Sequence, residues 1–593
     1  MITSRLLLVL RPLLAGVALL SMLPGLQACN PAAPPDHAAQ VTELADRYVA
    51  EYLEAFPYQA LVAGAPEVHP DRLVDHSLPA LQRWQAAEDA MLSELLAIDR
   101  ATVAGTPAAA TYIFLQNQLE AARDFRACRM ELWNVSPTWT GWQGDLPLVA
   151  GMQAVATEAD QRAAVERWAQ LPAYLDTEIV NLREGMRLGY TAPKNNVESV
   201  IRQMDAMLTA PVSESPFVQM AKAPGTFRAQ LEALETGGIR PAIARYRDFL
   251  RSEYLPKARL AIGVSTNPNG EACYRAAVKF HATVALTAQE IHDIGLAEMR
   301  KLHDDISEIG LRSFGSSDPL KVLAVAKDDP RYRFGSREEL IAYAEAAVER
   351  GRVAVPDWFG LVPSAPVVVE PYPSFLEKTA PGGQAISPSA DGGPGKYMIN
   401  AYNATAQSRA GLESTAFHEA YPGHHMQVAI ALEREGLHPI SRYFFLSGFG
   451  EGWALYTERL ADEMELFSGD IDRLGLYSNE ALRAARLVVD SGMHVLGWSR
   501  QQAIDYVLAN TTETADRAAA EIDRYIAVPG QATSYMIGNL EIRKLRTEAE
   551  RALGSRFSIK AFHDAVLEDG SMPLWALREK IERWITAQQN AGS

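Results

Sequence analysis

The sequence predicts a mainly α fold with a small β element, and three features of the 593-residue chain carry that expectation. Apolar residues recur at helical spacing from Thr42 to about Pro330. Between Arg352 and Asn400 a β-branched run and Pro-Gly clusters interrupt that texture. Helical patterning then resumes after Ser414 and continues to Ile585. A content of 48% hydrophobic and 22% charged residues suits a globular protein with a large core and room for more than one structural unit.

The first residues read as an export signal. Arg5 precedes two apolar runs, Leu6–Leu10 and Ala15–Leu20, and Arg11-Pro12 between them argues against one long membrane helix. Leu26-Gln27-Ala28-Cys29 is similar to a bacterial lipoprotein processing site. Residues 1–28 are therefore expected to be a lipoprotein signal peptide, with Cys29 as the lipid anchor and 29–41 as a polar tether. An ordinary cleaved secretory signal is the alternative. The expected location is the bacterial cell envelope, lipid-anchored, or else soluble in the periplasm or secreted. Only Cys128 and Cys273 remain for an oxidising compartment; without a pairing signal they are expected to be buried free thiols. The net charge of −17 is spread along the chain, which disfavours non-specific nucleic-acid binding and supplies no polybasic patch for anionic lipid. No obligate protein partner is inferred.

Residues 42–330 read as a mainly helical scaffold. Trp84, Met91, Leu92, Leu95 and Leu96 cluster around one side of a predicted helix. The stretch from Ala276 to Ile306 is also predicted helical, with Thr287 as cap and Glu290 completing a capping box. Val367–Tyr372 and Lys396–Tyr402 are predicted strands, separated by turns at Pro381–Gly383 and Asp391–Gly395. They are expected to form a covered hairpin, with an exposed strand that pairs with an extended peptide as the alternative.

The most informative phrase is His418-Glu419-Ala420-Tyr421-Pro422-Gly423-His424-His425, which sets an acid among three imidazoles. Zinc hydrolases commonly use two histidines four apart on a helix, so that both face one way. Here His424 follows His418 by six residues, about 240° around an ideal helix. Pro422 and Gly423 supply the remedy, because proline removes an amide donor and glycine tolerates unusual dihedrals. Glu451 opens the next predicted helix and is expected to complete a His418, His424, Glu451 ligand set for Zn2+. His425 and Glu458 are alternative ligands. Glu419 is assigned to proton transfer rather than to coordination.

Two downstream segments supply further candidates. Arg483, Arg486, Asp490 and His494 share one helical face. Arg483 and Arg486 are candidate substrate-binding groups and His494 a candidate catalytic residue, with Asp490 orienting Arg486 or His494; a buried ionic network is the plainer reading. The junction Pro529–Gly538 offers Gln531 for substrate binding and the Tyr535 hydroxyl for the developing oxyanion. Tyr535 as a packed aromatic is the plainer alternative. Tyr397 and Tyr402 are weaker candidates for the substrate wall.

Several of these phrases together resemble the bacterial DUF885 family, which is similar to zinc metallopeptidases. They are Leu286–Gly295, His418–Gln427, Gly450–Glu458, Arg486–His494 and Pro529–Gly538. The resemblance implies a large helical metallohydrolase-like fold with a small β element near the active cleft, its site gathered from separated helices. Residues 331–593 are expected to form the helical metal-site region with the β insertion. The expected function is an exported zinc-dependent metallopeptidase acting on short peptides, with carboxypeptidase or dipeptidase specificity. The alternatives are a metal-dependent amidase or a non-catalytic peptide- or metal-binding lipoprotein.

Overall fold

The computed structural model describes residues 36–63, 67–373, 377, 380–388 and 393–591. The predicted signal peptide and Cys29 lie outside them. The first described helix, His37–Ala55, begins inside the stretch predicted as a tether. No helix among the described residues is long and apolar enough to cross a membrane.

From His37 onward the chain is a single compact unit built around distinct apolar cores. The largest core joins the beginning of the described chain to its end: Val41, Leu44 and Tyr48 share it with Trp453, Leu487, Leu577 and Ile581. A second core gathers Trp142, Trp168, Leu182, Tyr246 and Tyr254. A third, small core gathers Ile306, Ile309, Val322 and Leu323, so the predicted scaffold divides among three cores, and part of it packs directly against the helices of the metal motif. Helix Leu78–Leu96 buries Met91, Leu92 and Leu95, but Leu96 is exposed because it lies a further 100° or so around the helix.

The Thr287–Glu290 capping box is present and starts helix Ala288–Ile309, which packs along helix Asp470–His494. The stretch before it is a separate helix, Gly270–Ala282, ended by Thr283 at φ 56°. Cys128 and Cys273 correct the free-thiol expectation. They are disulfide-bonded across 145 residues, because the end of helix Ala108–Phe125 docks on helix Gly270–Ala282 and brings the two Cα atoms to 4.4 Å.

The sheet has three strands among the described residues: β1 (Val367–Pro371), β2 (Gly383–Ile386) and β3 (Gly395–Ile399), in the order β1-β3-β2. The predicted strands β1 and β3 are neighbours but run parallel, so they are not a hairpin. The chain between them contributes β2, which pairs antiparallel with β3 and begins where a turn was expected. β3 is central and buries Gly395, Tyr397 and Ile399 on one face, as the two-residue strand period requires.

Candidate metal centre

The problem posed by six-residue spacing is solved by breaking the helix. Helix Leu412–Glu419 stops immediately after the His-Glu pair, and helix His424–Glu433 starts afresh. Gly423 sits so close to the preceding turn that a Cβ there would lie 1.9 Å from the His418 carbonyl oxygen. The Pro422 carbonyl accepts a hydrogen bond from the Trp453 indole at 3.1 Å, which ties the break to the next helix. His424 is thereby turned back toward His418, with ring centroids 4.7 Å apart and planes at 89°.

Helix Ser447–Glu463 supplies the acids. Glu451 and Glu458 are two turns apart and face the same way, yet they occupy different positions. Glu451 Oε2 lies 3.5 Å from His418 Nε2 and 3.3 Å from His424 Nε2. The ligand atoms of His418, His424 and Glu451 all lie within 4.8 Å of one another. Ligands about 2.0–2.1 Å from a tetrahedral ion are separated by roughly 3.3–3.4 Å, so the two Glu451 separations match what a bound metal would require.

Glu458 stands behind His418 and is fully buried. Its Oε1 accepts from His418 Nδ1 at 2.8 Å, and its Oε2 accepts from the Ser414 hydroxyl. Donation from Nδ1 leaves Nε2, on the Glu451 side of the ring, as the atom that would meet a cation in place of a proton. Burial opposes a charged His418, but Glu451, Glu458 and Glu419 outweigh it and push its pKa up to about 9. Burial likewise opposes ionised Glu451, yet the two imidazoles hold it well below the usual carboxylate range. This anionic surround selects for a positive occupant, a proton or a cation. His425 is turned away: its Nε2 meets the Ala365 carbonyl at 3.0 Å, on the sheet side.

Glu419 closes its helix beside the triad and under β2. A Cβ on Gly383 would meet Glu419 Cγ at 3.2 Å and Tyr397 Cε2 at 2.9 Å, so the strand passes directly over the carboxylate. Burial, and then the nearby Glu419 charge, push the Tyr372 and Tyr397 hydroxyls up. Tyr397 is fully buried, whereas Tyr402 is exposed.

The helix Asp470–His494 distributes its polar face among different tasks. Arg483 backs the centre, 3.6 Å from Glu458 Oε1. His494 is fully buried: its Nδ1 accepts from the Val264 amide at 3.1 Å, and its Nε2 donates to the Tyr525 carbonyl at 2.9 Å. Burial lowers its pKa to about 4, which favours the neutral ring. Asp490 orients neither Arg486 nor His494, but accepts from the Tyr274 hydroxyl at 2.7 Å and the Gly530 amide at 3.1 Å.

Arg486, Gln531 and Tyr535 do come together. The Arg486 guanidinium lies 4.5 Å from the Tyr535 ring centroid. Burial and then the Glu451 carboxylate push the Tyr535 hydroxyl up, and the neighbouring Ser534 hydroxyl lies 2.7 Å from Ser447 on the Glu451 helix. Close approach of two helices positions it: a Cβ on Gly452 would lie 2.5 Å from Gly538 Cα. Sequence reading missed Glu521, Arg524 and Tyr525, which surround Arg486. Their spacing of three and four residues in helix Ala515–Ala527, just before the Pro529–Gly530 junction, was an available signal.

The fold is shared with two solved structures. A candidate lipoprotein from Colwellia psychrerythraea is 26% identical with a TM-score of 0.85, covering 93% of this chain and 99% of that one. A candidate lipoprotein of unknown function from Shewanella oneidensis is 18% identical with a TM-score of 0.73, covering 91% and 99%. Comparison with curated proteins gave no match. Residues 57–581 match the family described as bacterial protein of unknown function DUF885, and the chain belongs to that family.

Proposed function

We propose that the protein is an exported, zinc-dependent hydrolase of short peptides or related amides. The observation that carries this reading is Glu419 beside a convergent His418, His424, Glu451 set, because holding a cation alone requires no carboxylate at that position. When bound, the cation supplies Lewis acidity, lowering the pKa of water and steadying developing oxygen charge. Glu419 then takes the proton from the attacking water and delivers it to the leaving nitrogen. In this reading Tyr535 donates its hydroxyl to the developing oxyanion. Glu458 fixes the orientation of His418 and Arg483 supports Glu458.

A metal-binding lipoprotein without turnover is the second reading. It is favoured by the two structural relatives, which are described as candidate lipoproteins without a stated activity. The same descriptions support an exported location in the cell envelope, where Cys29 would be the residue that carries a lipid. Glu419→Gln separates the readings. The hydrolase reading expects unchanged zinc content with product formation from a short-peptide library reduced about 100- to 10,000-fold. Equal turnover in both proteins would remove Glu419 from the mechanism, and absence of turnover in the zinc-loaded wild type would favour the binding protein.

A further inference from the structure

On the Tyr535 side of the centre, two arginines from different helices converge on one carboxylate. Arg486 Nη2 and Arg524 Nη2 each donate to Glu521 Oε2 at 3.0 Å, and the Tyr525 hydroxyl donates to the same oxygen. Arg486 Nε is held by the Tyr525 hydroxyl at 2.7 Å. Two cations against one anion leave a unit of positive charge in a largely buried cluster. The neighbouring charges do not cancel it. Arg517 is paired with Glu513 at 2.8 Å, while Asp490, which bears on Arg524, is raised by burial to about 7 and bonded elsewhere.

One donor is left over. Arg486 Nη1 is buried without a hydrogen-bond partner, on a side chain only 9% exposed. A purely structural network would be expected to satisfy that group, since an orphaned buried donor costs about 1–3 kcal/mol. The cluster also abuts the helix that starts at Ser534, whose hydroxyl lies 2.7 Å from that of Ser447 on the helix carrying Glu451. Arg486 stacks on Tyr535, and Arg524 Nη1 donates to Gln531 Oε1 at 2.6 Å. Glu521, Arg524, Gln531 and Tyr535 all retain partial solvent exposure.

We propose that Arg486 and Arg524 form a carboxylate subsite one Tyr535 ring away from the metal centre, so that the substrate is a short peptide with a free C-terminus. This deepens the hydrolase reading and rests on it. A guanidinium pair matches a free carboxylate in geometry and charge, which an internal peptide bond does not offer. Cleavage adds water across the amide next to this anchor, releasing an acid and an amine from the C-terminal end.

Binding tests the subsite without requiring turnover. Zinc-loaded Glu419→Gln protein is titrated calorimetrically with N-acetylated tripeptides as free acids and as the matching C-terminal amides. The acids are expected to bind about 30- to 100-fold more tightly, the gain from a buried charge-assisted contact. Arg486→Lys and Arg524→Lys, introduced separately into the same protein, keep the charge and should each cut that preference at least about tenfold by losing the planar fork. Equal binding of acids and amides, failure of both to bind, or an unchanged preference in both folded variants overturns the proposal. Failure of the hydrolase reading is seen separately, as absence of turnover by the wild-type protein.

Discussion

Glu458→Gln is the most searching perturbation of the centre, because it touches no ligand atom. The carboxylate accepts from His418 Nδ1 at 2.8 Å and from Ser414, and it lies 3.6 Å from Arg483. Glutamine keeps an oxygen for His418 but removes the charge. A charge-assisted hydrogen bond contributes about 1.5–3 kcal/mol and a neutral one about 0.5–1.5, so the exchange weakens the hold on His418 by roughly 1–1.5 kcal/mol. That is about tenfold in metal affinity, and the disturbed Ser414 and Arg483 contacts extend the expected range toward 100-fold. Zinc affinity is measured by competition with a chelator of known constant, alongside thermal melting to establish that the variant is folded. A folded variant with wild-type affinity would refute the idea that Glu458 prepares His418 for coordination.

Other consequences follow from the fold. Gly423→Ala drives a methyl group into the His418 carbonyl, at a cost of roughly 1–3 kcal/mol or more. It should lower both the melting temperature and zinc content; wild-type values for both would mean the break does not depend on that glycine. Asp490 has its pKa raised by burial to about 7, so the native state retains its proton where the unfolded chain has lost it. Its contribution therefore declines as pH rises from about 4 to about 7 and is flat beyond, by up to roughly 4 kcal/mol. Asp490→Asn should gain stability relative to wild type over that window in urea unfolding at successive pH values, and a pH-independent difference would contradict the assignment. Cys273→Ser opens a disulfide spanning 145 residues and should cost roughly 2–5 kcal/mol, read as a lower urea midpoint under non-reducing conditions.

Much of the centre was legible because its chemistry is local in sequence. His418, Glu419 and His424 lie in one short phrase, and the awkward spacing itself pointed to Pro422-Gly423 as a break. The same helical period that brought Glu451 into view also put Glu458 on its face, but period cannot tell a candidate ligand from a residue two turns further along. Depth depends on how helix Ser447–Glu463 meets helix Leu412–Glu419, which is tertiary information. The downstream helix shows the same limit. Arg483, Arg486, Asp490 and His494 share a face as expected, yet each meets a different neighbour. β2 was hidden because a four-residue strand containing Gly383 has a weak strand signature and takes its partner from β3. The disulfide was hidden because cysteine spacing says nothing about helix docking.

The central claim is that three side chains, separated in sequence by up to 33 residues, enclose one cation. Crystals of the zinc-loaded protein, measured on both sides of the zinc absorption edge, test it most directly. One anomalous peak is predicted within about 2.0–2.2 Å of His418 Nε2, His424 Nε2 and a Glu451 oxygen. Zinc-saturated protein with no peak among those atoms, or with its peak at His425, would contradict the account.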